Sequence, residues 1–395
     1  MTLNNYNFPT HVVSGAGARH ELTPMLKSHG VTKVLLVTDK GVATLPFFGD
    51  IAETLKRDFA VEVYSGIEGN PLISHVTAGT ETAKGFGGDA VVAVGGGAAM
   101  DVAKCIALMQ HHPGQLLDYE DGKPDARPVD QVLPLIIALP TTAGTGSEVG
   151  RSAVVSEDAT HIKRIIFDPK LLPVHVLMDP ELTLGLPATI TAWTGMDACS
   201  HLSEAFLAPG YHPQCDGIAL EGLRLMSQAL PKCVTGVMNH ETSKTYVDAR
   251  HDMLNAAMMG AVAFQKGLGA VHSCAHALST VCDLHHGLAN ALMIPYVMHF
   301  NLRFAEGRMK TMAEAVNAAE KSGPGWVGWL QTMNKMVGIP SSLPEQGIEA
   351  RHLDALVEVA IHDPCHQTNP GPVTAENFKD IFQQAFAGTM ERAAT

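Results

Sequence analysis

Apolar and polar positions follow two regimes along the chain. In the first half, short apolar runs are KVLLVTD (Lys33 to Asp39), VEVYSG, DAVVAV (Asp89 to Val94) and VLPLIIALP (Val132 to Pro140). Stretches with helical spacing separate them, among them Asp50 to Arg57 and AAMDVAKCIALM. Near-continuous apolar runs of strand length, alternating with helical segments, predict βαβ units and a mainly parallel sheet. A ligand of such a sheet belongs at the carboxyl ends of its strands. From about Pro187 the runs become long and periodic: ATITAWTGMDACSHLSEAF, CDGIALEGLRLMSQAL, ARHDMLNAAMMGAVAF and HLDALVEVAIH. Apolar residues three and four apart predict amphipathic helices. The expected organisation is therefore an α/β domain over residues 1–185 and an all-helical domain over 186–395, with no internal repeat and no low-complexity linker between them.

Composition narrows the partners. At 395 residues the chain suits two domains, and 46% apolar residues suffice for two well-filled cores. A formal charge of −13 argues against nucleic acid or an anionic membrane as the main partner and leaves small molecules. Seven cysteines without a regular framework read as reduced thiols of a cytoplasmic protein. The N-terminal MTLNNYNFPTH lacks a basic segment followed by an apolar one, and the longest apolar run is far too short to span a bilayer. The expectation is a soluble, cytoplasmic protein.

Candidate chemistry falls in both halves. Gly95, Gly96 and Gly97 stand between a strand and a helix start, where bared N–H groups and the helix dipole cradle a phosphate. TTAGTGSE (Thr141 to Glu148) follows the next strand as a second wall. Asp39, ending the first strand, is placed to accept hydrogen bonds from a ribose diol, which favours NAD over NADP; a turn aspartate is the alternative. In the helical half, His272 and His276 are four apart and share a helix face, with His286 just ahead of a glycine, and Asp197 and His201 repeat the spacing upstream. One carboxylate and two or three imidazoles would hold a divalent transition metal. With 20 histidines in 395 residues, about one such pair is expected by chance. A second pair, His362 and His366, straddles Pro364, which breaks a helix, and receives no metal.

The ordered set GGGxxxDxAK, PTTAGTGSE, DPELTxxLP, TGMDACSHxxE, GLGAVHxxxH and HGxxNA, spread over nearly the whole chain, resembles the iron-containing (group III) alcohol dehydrogenase family. The resemblance implies the dehydroquinate synthase-like arrangement of a dinucleotide-binding domain and a helical metal-binding domain. It implies that Asp197, His201, His272 and His286 bind Fe2+, with Zn2+ the other candidate, and that His276 lies by the nicotinamide. Gly96, Gly97 and Ala98 fall on the pyrophosphate positions, Thr141, Thr142, Thr145 and Leu182 around adenine and ribose, and Asn70, Asp39 and Lys163 complete the NAD site. Cys365 matches a residue lining the family's substrate pocket. The chain departs from the family at Ala98, where Ser is usual, at Ala277, where Pro follows the histidine, and at Gly371, where Arg is usual. Phe264 stands one residue off the spacing of the family's pocket phenylalanine.

The implied protein is a homo-oligomeric, NAD(H)-linked alcohol dehydrogenase. A lyase or cyclase of the dehydroquinate synthase type is the alternative; it needs several cations around a sugar phosphate, and Lys266 is the chief candidate in the helical half. A non-catalytic dinucleotide binder is the third reading. If Lys266 faces the substrate, the preferred alcohols carry a remote carboxylate; otherwise it points to solvent or to the cofactor phosphates.

Overall fold

The structure, a computed structural model, describes residue 8 and residues 10–390. The segment read for a leader therefore lies mostly outside the described residues. The chain divides into two compact units, one built from Phe8–Thr142 and Gly146–Gly185, the other from Leu186 onward together with Ala143–Thr145.

The first unit is a six-stranded, wholly parallel sheet. In chain order its strands are β1 (His11–Ser14), β2 (Lys33–Asp39), β3 (Ala60–Ile67), β4 (Ala90–Gly95), β5 (Leu135–Pro140) and, beyond a small hairpin, β8 (His175–Met178). They lie side by side as β1-β8-β5-β4-β2-β3. β2 and β4 are buried throughout except at the ends of β2, as strands covered by helices on both faces must be. The helices are α1 (Leu22–Ser28), α2 (Pro46–Leu55), α3 (Ile73–Phe86) and α4 (Gly97–His111). The chain leaves β2 for β3 on one side and returns to β4 on the other, so strand order reverses between β2 and β4. Such a reversal parts the connecting loops and opens a crevice at the carboxyl ends of the strands.

The antiparallel hairpin β6 (Ser152–Ser156) and β7 (Lys163–Phe167) was not legible as strands. Each is five residues long, and β7 fully buries only Ile166, a weak signal beside the long apolar runs of the sheet. It anchors a buried polar network on α4. Lys104 Nζ donates to Ser147 O (2.6 Å), Ser147 Oγ (2.8 Å) and Ser152 O (2.8 Å). Asp101 accepts from Ser147 Oγ (2.6 Å) and from the Val154 amide (3.0 Å).

Glu148 is buried beside this network, and its Oε1 has no hydrogen-bond partner. Burial pushes its carboxyl up to about 7 from an ordinary 4.5. A carboxyl raised on folding contributes stability that is full below its unfolded value and is lost as pH rises through the folded one. The protein is therefore expected to lose stability between about pH 4.5 and 7 on this account, by on the order of 3 kcal/mol at most. Thermal melts of Glu148→Gln across that window should show a flatter dependence than the wild type; an unchanged slope would remove Glu148 as its source.

The second unit is helical throughout: α5 (Ala188–Leu207), α6 (Pro213–Met238), α7 (Lys244–Ala263), α8 (Ala270–Cys282), α9 (His286–Ala315), α10 (Gly323–Met336), α11 (Leu353–His362) and α12 (Ala375–Ala387). Its core is rich in Ala, Leu and Met, and α5 is buried along nearly its full length, polar residues included. That is unusual for a twenty-residue helix and marks it as the element that carries buried chemistry. The histidine pair set aside on account of Pro364 is indeed split: His362 closes α11 and His366 stands in the following 3-10 turn Pro364–Thr368.

Candidate metal centre and dinucleotide site

Three elements of the helical unit carry the cluster. α5 brings Asp197, α8 brings His272 and the first residue of α9 is His286. Their donor atoms all lie within 4.8 Å of one another. Donors about 2 Å from a common ion stand roughly 3–4 Å apart, so small side-chain adjustments close the set on a cation. The chain reaches α9 through a tight approach: a Cβ on Gly287 would fall 2.6 Å from the Trp193 carbonyl oxygen, so only glycine lets His286 sit this close to α5.

Polar groups of the helical unit hold the donors His272 and Asp197 in place. His272 Nδ1 meets Glu204 Oε2 at 2.5 Å, and the other carboxylate oxygen accepts from the Val271 amide at 2.6 Å. With Nδ1 engaged, Nε2 is the nitrogen left to ligate, the carboxylate–histidine arrangement that fixes ring orientation at metal sites. Asn290 Nδ2 donates to Asp197 Oδ1 at 2.7 Å and lies 3.1 Å from His286 Nε2. Burial pushes the Glu204 carboxyl up to about 8 without a metal, and a cation on the cluster favours its ionised, accepting form; burial also lowers His201 to about 4, which keeps that imidazole neutral. His201 is not among the three whose donors converge. Its ring stacks on His272 with centroids 4.7 Å apart, and its Nδ1 is buried with no hydrogen-bond partner. A buried polar atom left in that state costs about 1–3 kcal/mol unless something meets it, and a cation does. The residues thus fit a divalent transition metal: one carboxylate and imidazoles, the donor chemistry of Fe2+ and Zn2+ sites.

His276 faces elsewhere. Its Nδ1 meets Asp363 Oδ2 at 2.7 Å, while its ring stacks on His286 with centroids 5.3 Å apart. Phe264 packs its ring 5.2 Å from that of His201, so the one-residue offset does not take it away from the cluster. Glu204, Asn290 and Asp363 are the polar partners that sequence reading left without roles. Glu204 could have been found as the next turn's continuation of the Asp197–His201 face, whereas Asp363 carries no such signal.

Lys266 needs a correction. Its Nζ donates to Asp216 Oδ1 at 2.6 Å and to the Phe206 carbonyl at 3.2 Å, and the side chain is 3% exposed. The anion that justifies its burial belongs to the protein itself. Lys266 therefore neither reaches solvent nor stands available to a substrate carboxylate, and the cation proposed for a sugar-phosphate lyase is spent.

In the first unit, a pocket of about 260 Å³ opens at the reversal point, with Asp39 at the end of β2, Gly96 and Ala98 at the start of α4, and Lys40, Glu68 and Gly69 on its rim. Gly96 precedes the first turn of α4, and a Cβ there would press on Thr142 at 3.1 Å. Asp39 lines this pocket and accepts from the Val42 amide at 2.8 Å, the contact of the turn reading. The Thr141 amide donates to Gly95 O at 3.0 Å, which ties the second wall to the glycine turn. Gly97 is the first residue of α4 itself. Other predicted residues stand off the pocket: Leu182 is buried in the sheet's core, Lys163 starts β7, Asn70 follows Gly69, and Thr145 groups with the helical unit.

A parallel sheet with a glycine turn at its reversal point, followed by a helical unit bearing a carboxylate–imidazole cluster, is the architecture of a dinucleotide- and metal-dependent oxidoreductase. The family model for iron-containing alcohol dehydrogenase matches residues 9–180, and that for the C-terminal part of the Fe-containing alcohol dehydrogenase family matches residues 191–386. The 4-hydroxybutyrate dehydrogenase of Cupriavidus necator is 36% identical over 388 residues, 95% of this chain and 98% of its own length. The NAD-dependent methanol dehydrogenase of Bacillus methanolicus is 33% identical, over 97% of this chain and 100% of its own. A crystal structure of 1,3-propanediol oxidoreductase superposes with a TM-score of 0.90 at 30% identity, covering 98% of this chain and 100% of that one. The chain belongs to the iron-containing alcohol dehydrogenase family and is an oxidoreductase acting on alcohols. No helix among the described residues is long and apolar enough to cross a membrane.

Proposed function

We propose that the protein interconverts an alcohol and its carbonyl compound with NAD(H), using a divalent metal, Fe2+ or Zn2+, held by Asp197, His201, His272 and His286. The observation that carries this reading is the convergence of one buried carboxylate, one buried imidazole and one partly exposed imidazole, with a third imidazole nitrogen lacking a partner beside them. When bound, the metal supplies Lewis acidity toward the alcohol oxygen. Glu204 fixes the tautomer of His272 and Asn290 orients Asp197. His276, set on its rotamer by Asp363, holds the proton that leaves the hydroxyl and passes it toward solvent from its partly exposed edge.

NAD is assigned to the first unit: pyrophosphate on Gly96, Gly97 and Ala98 at the N-terminus of α4, and ribose on Asp39. Asn70, Thr141, Thr142 and Lys163 are assigned to the remaining walls within the same unit. NAD dependence in the methanol-oxidising relative supports the choice of dinucleotide. Replacing Asp39 by Asn keeps an acceptor for Val42 but removes the charge that repels a 2′-phosphate. The ratio of kcat/KM for NADP(H) over NAD(H) should rise by about tenfold, about 1.4 kcal/mol. A wild type that already prefers NADPH would overturn the assignment.

The partner is a small alcohol or aldehyde. A homo-oligomer and a cytoplasmic setting complete the proposal; seven cysteines, none paired in a disulfide, suit a reducing compartment. The deciding experiment is an anaerobic NADH absorbance assay with added Fe2+ or Zn2+ over a panel of short alcohols and aldehydes. Metal-dependent turnover is expected. NAD binding without turnover of any member would favour a non-catalytic binder instead.

A further inference from the structure

A second donor cluster lies beside the first and shares no residue with it. His276 on α8, Asp363 at the end of α11 and Cys365 in the following 3-10 turn bring an imidazole nitrogen, a carboxylate oxygen and a sulfur all within 4.8 Å of one another. Asp363 is fixed before any ligand arrives. Its Oδ1 accepts from Ser273 Oγ at 2.8 Å and from the Cys365 amide at 2.9 Å, which leaves Oδ2 with His276 Nδ1 at 2.7 Å. All three residues are partly exposed, so a cation can reach them from solvent.

The geometry points to a second metal site here, one that takes a soft divalent cation such as Zn2+ or Cd2+. Tetrahedral bonds of 2.0–2.3 Å place N, O and S donors roughly 3.3–3.6 Å apart, so the cation replaces the proton between His276 Nδ1 and Asp363 Oδ2 with a small opening of that pair. A thiolate among the donors selects zinc-like ions over Mg2+ and Ca2+. Cys365 and Asp363 together carry two negative charges when ligating, so the filled site is neutral and coexists with a filled first cluster, although the His276 and His286 rings are stacked. The cation takes His276 away from Asp363 and so blocks the residue assigned to proton transfer. The site is thus inhibitory, and the inhibition, though not the binding, rests on the proposed role of His276.

The test uses the holoenzyme with its first site filled and Co2+ as the probe. The first cluster has no sulfur ligand, so a thiolate-to-cobalt charge-transfer band in the near ultraviolet reports the second site alone. The wild type should gain this band together with one further equivalent of bound metal after gel filtration. Cys365→Ala should lose both and retain the first equivalent, which also reports that the helical unit is folded. Cys282→Ala, which alters another partly exposed thiol, should keep both. A band that persists in Cys365→Ala, or a wild type that shows neither band nor further equivalent, overturns the assignment. So does loss of the first equivalent in both Cys365→Ala and the near-isosteric Cys365→Ser.

Discussion

His286→Ala is expected to reduce bound metal to background and abolish turnover, while the melting temperature of the metal-free protein and the dissociation constant for NAD stay near wild type. His286 is the first residue of α9, partly exposed, and its truncation leaves no large cavity in the helical core. Removing one of three converging donors takes away an N–metal bond that nothing nearby replaces, because Asn290 offers an amide that already serves Asp197. Replacing the group behind a ligand should cost less: Glu204→Gln keeps the shape but weakens the acceptor of His272 Nδ1, and metal affinity should fall by roughly 10–100-fold. Elemental analysis of the two variants after dialysis tests the order of these effects. Undiminished metal in His286→Ala would mean that this residue is not a ligand, and metal loss equal in both would mean that the cluster fails as a fold and not as a donor set.

Some of this site was legible in the chain and some was not, for physical reasons. Near-continuous apolar runs identified the parallel strands because burial on both faces leaves no polar alternation to misread. The pairs at four-residue spacing identified α5 and α8 as carriers of donors, yet spacing alone left open whether His276 joins His272. Four residues on a helix advance about 40° beyond a full turn. In α8 that rotation is enough to turn His272 toward Asp197 and His276 toward Asp363. The partners behind the donors were hidden for another reason. Glu204 lies 68 residues from the histidine it holds, and Asp363 lies 87 residues from His276, and such pairs have no local pattern to announce them. Lys266 shows the converse: proximity in sequence to His272 suggested a substrate contact, whereas Asp216, fifty residues upstream, had already claimed the charge.

Lys104→Met is expected to be the most destabilising single change in the first unit, by about 3–5 kcal/mol, and to lower the melting temperature by roughly 10 °C. Methionine fills nearly the volume of the lysine stem, so the loss is electrostatic and not a cavity. The ammonium is 1% exposed and supplies three hydrogen bonds to the segment that leads into the hairpin, two of them to the backbone carbonyls of Ser147 and Ser152. Without it the Ser152 carbonyl loses its donor, the Ser147 carbonyl keeps only the Gly150 amide at 3.0 Å, and Asp101, 3.9 Å away, loses the cation that offsets its burial. Burial raises the carboxyl of Asp101 against the pull of Lys104, so removal of the lysine should move its protonation further toward neutral pH and make the destabilisation grow as pH rises. The double variant Lys104→Met, Asp101→Asn separates the two contributions. It should recover part of the stability by removing the unpaired charge, while the Ser152 carbonyl stays unmet and keeps it below wild type. Equal melting temperatures for Lys104→Met and wild type would show that water reaches the network and that the ammonium does not hold the Ser147 turn in place.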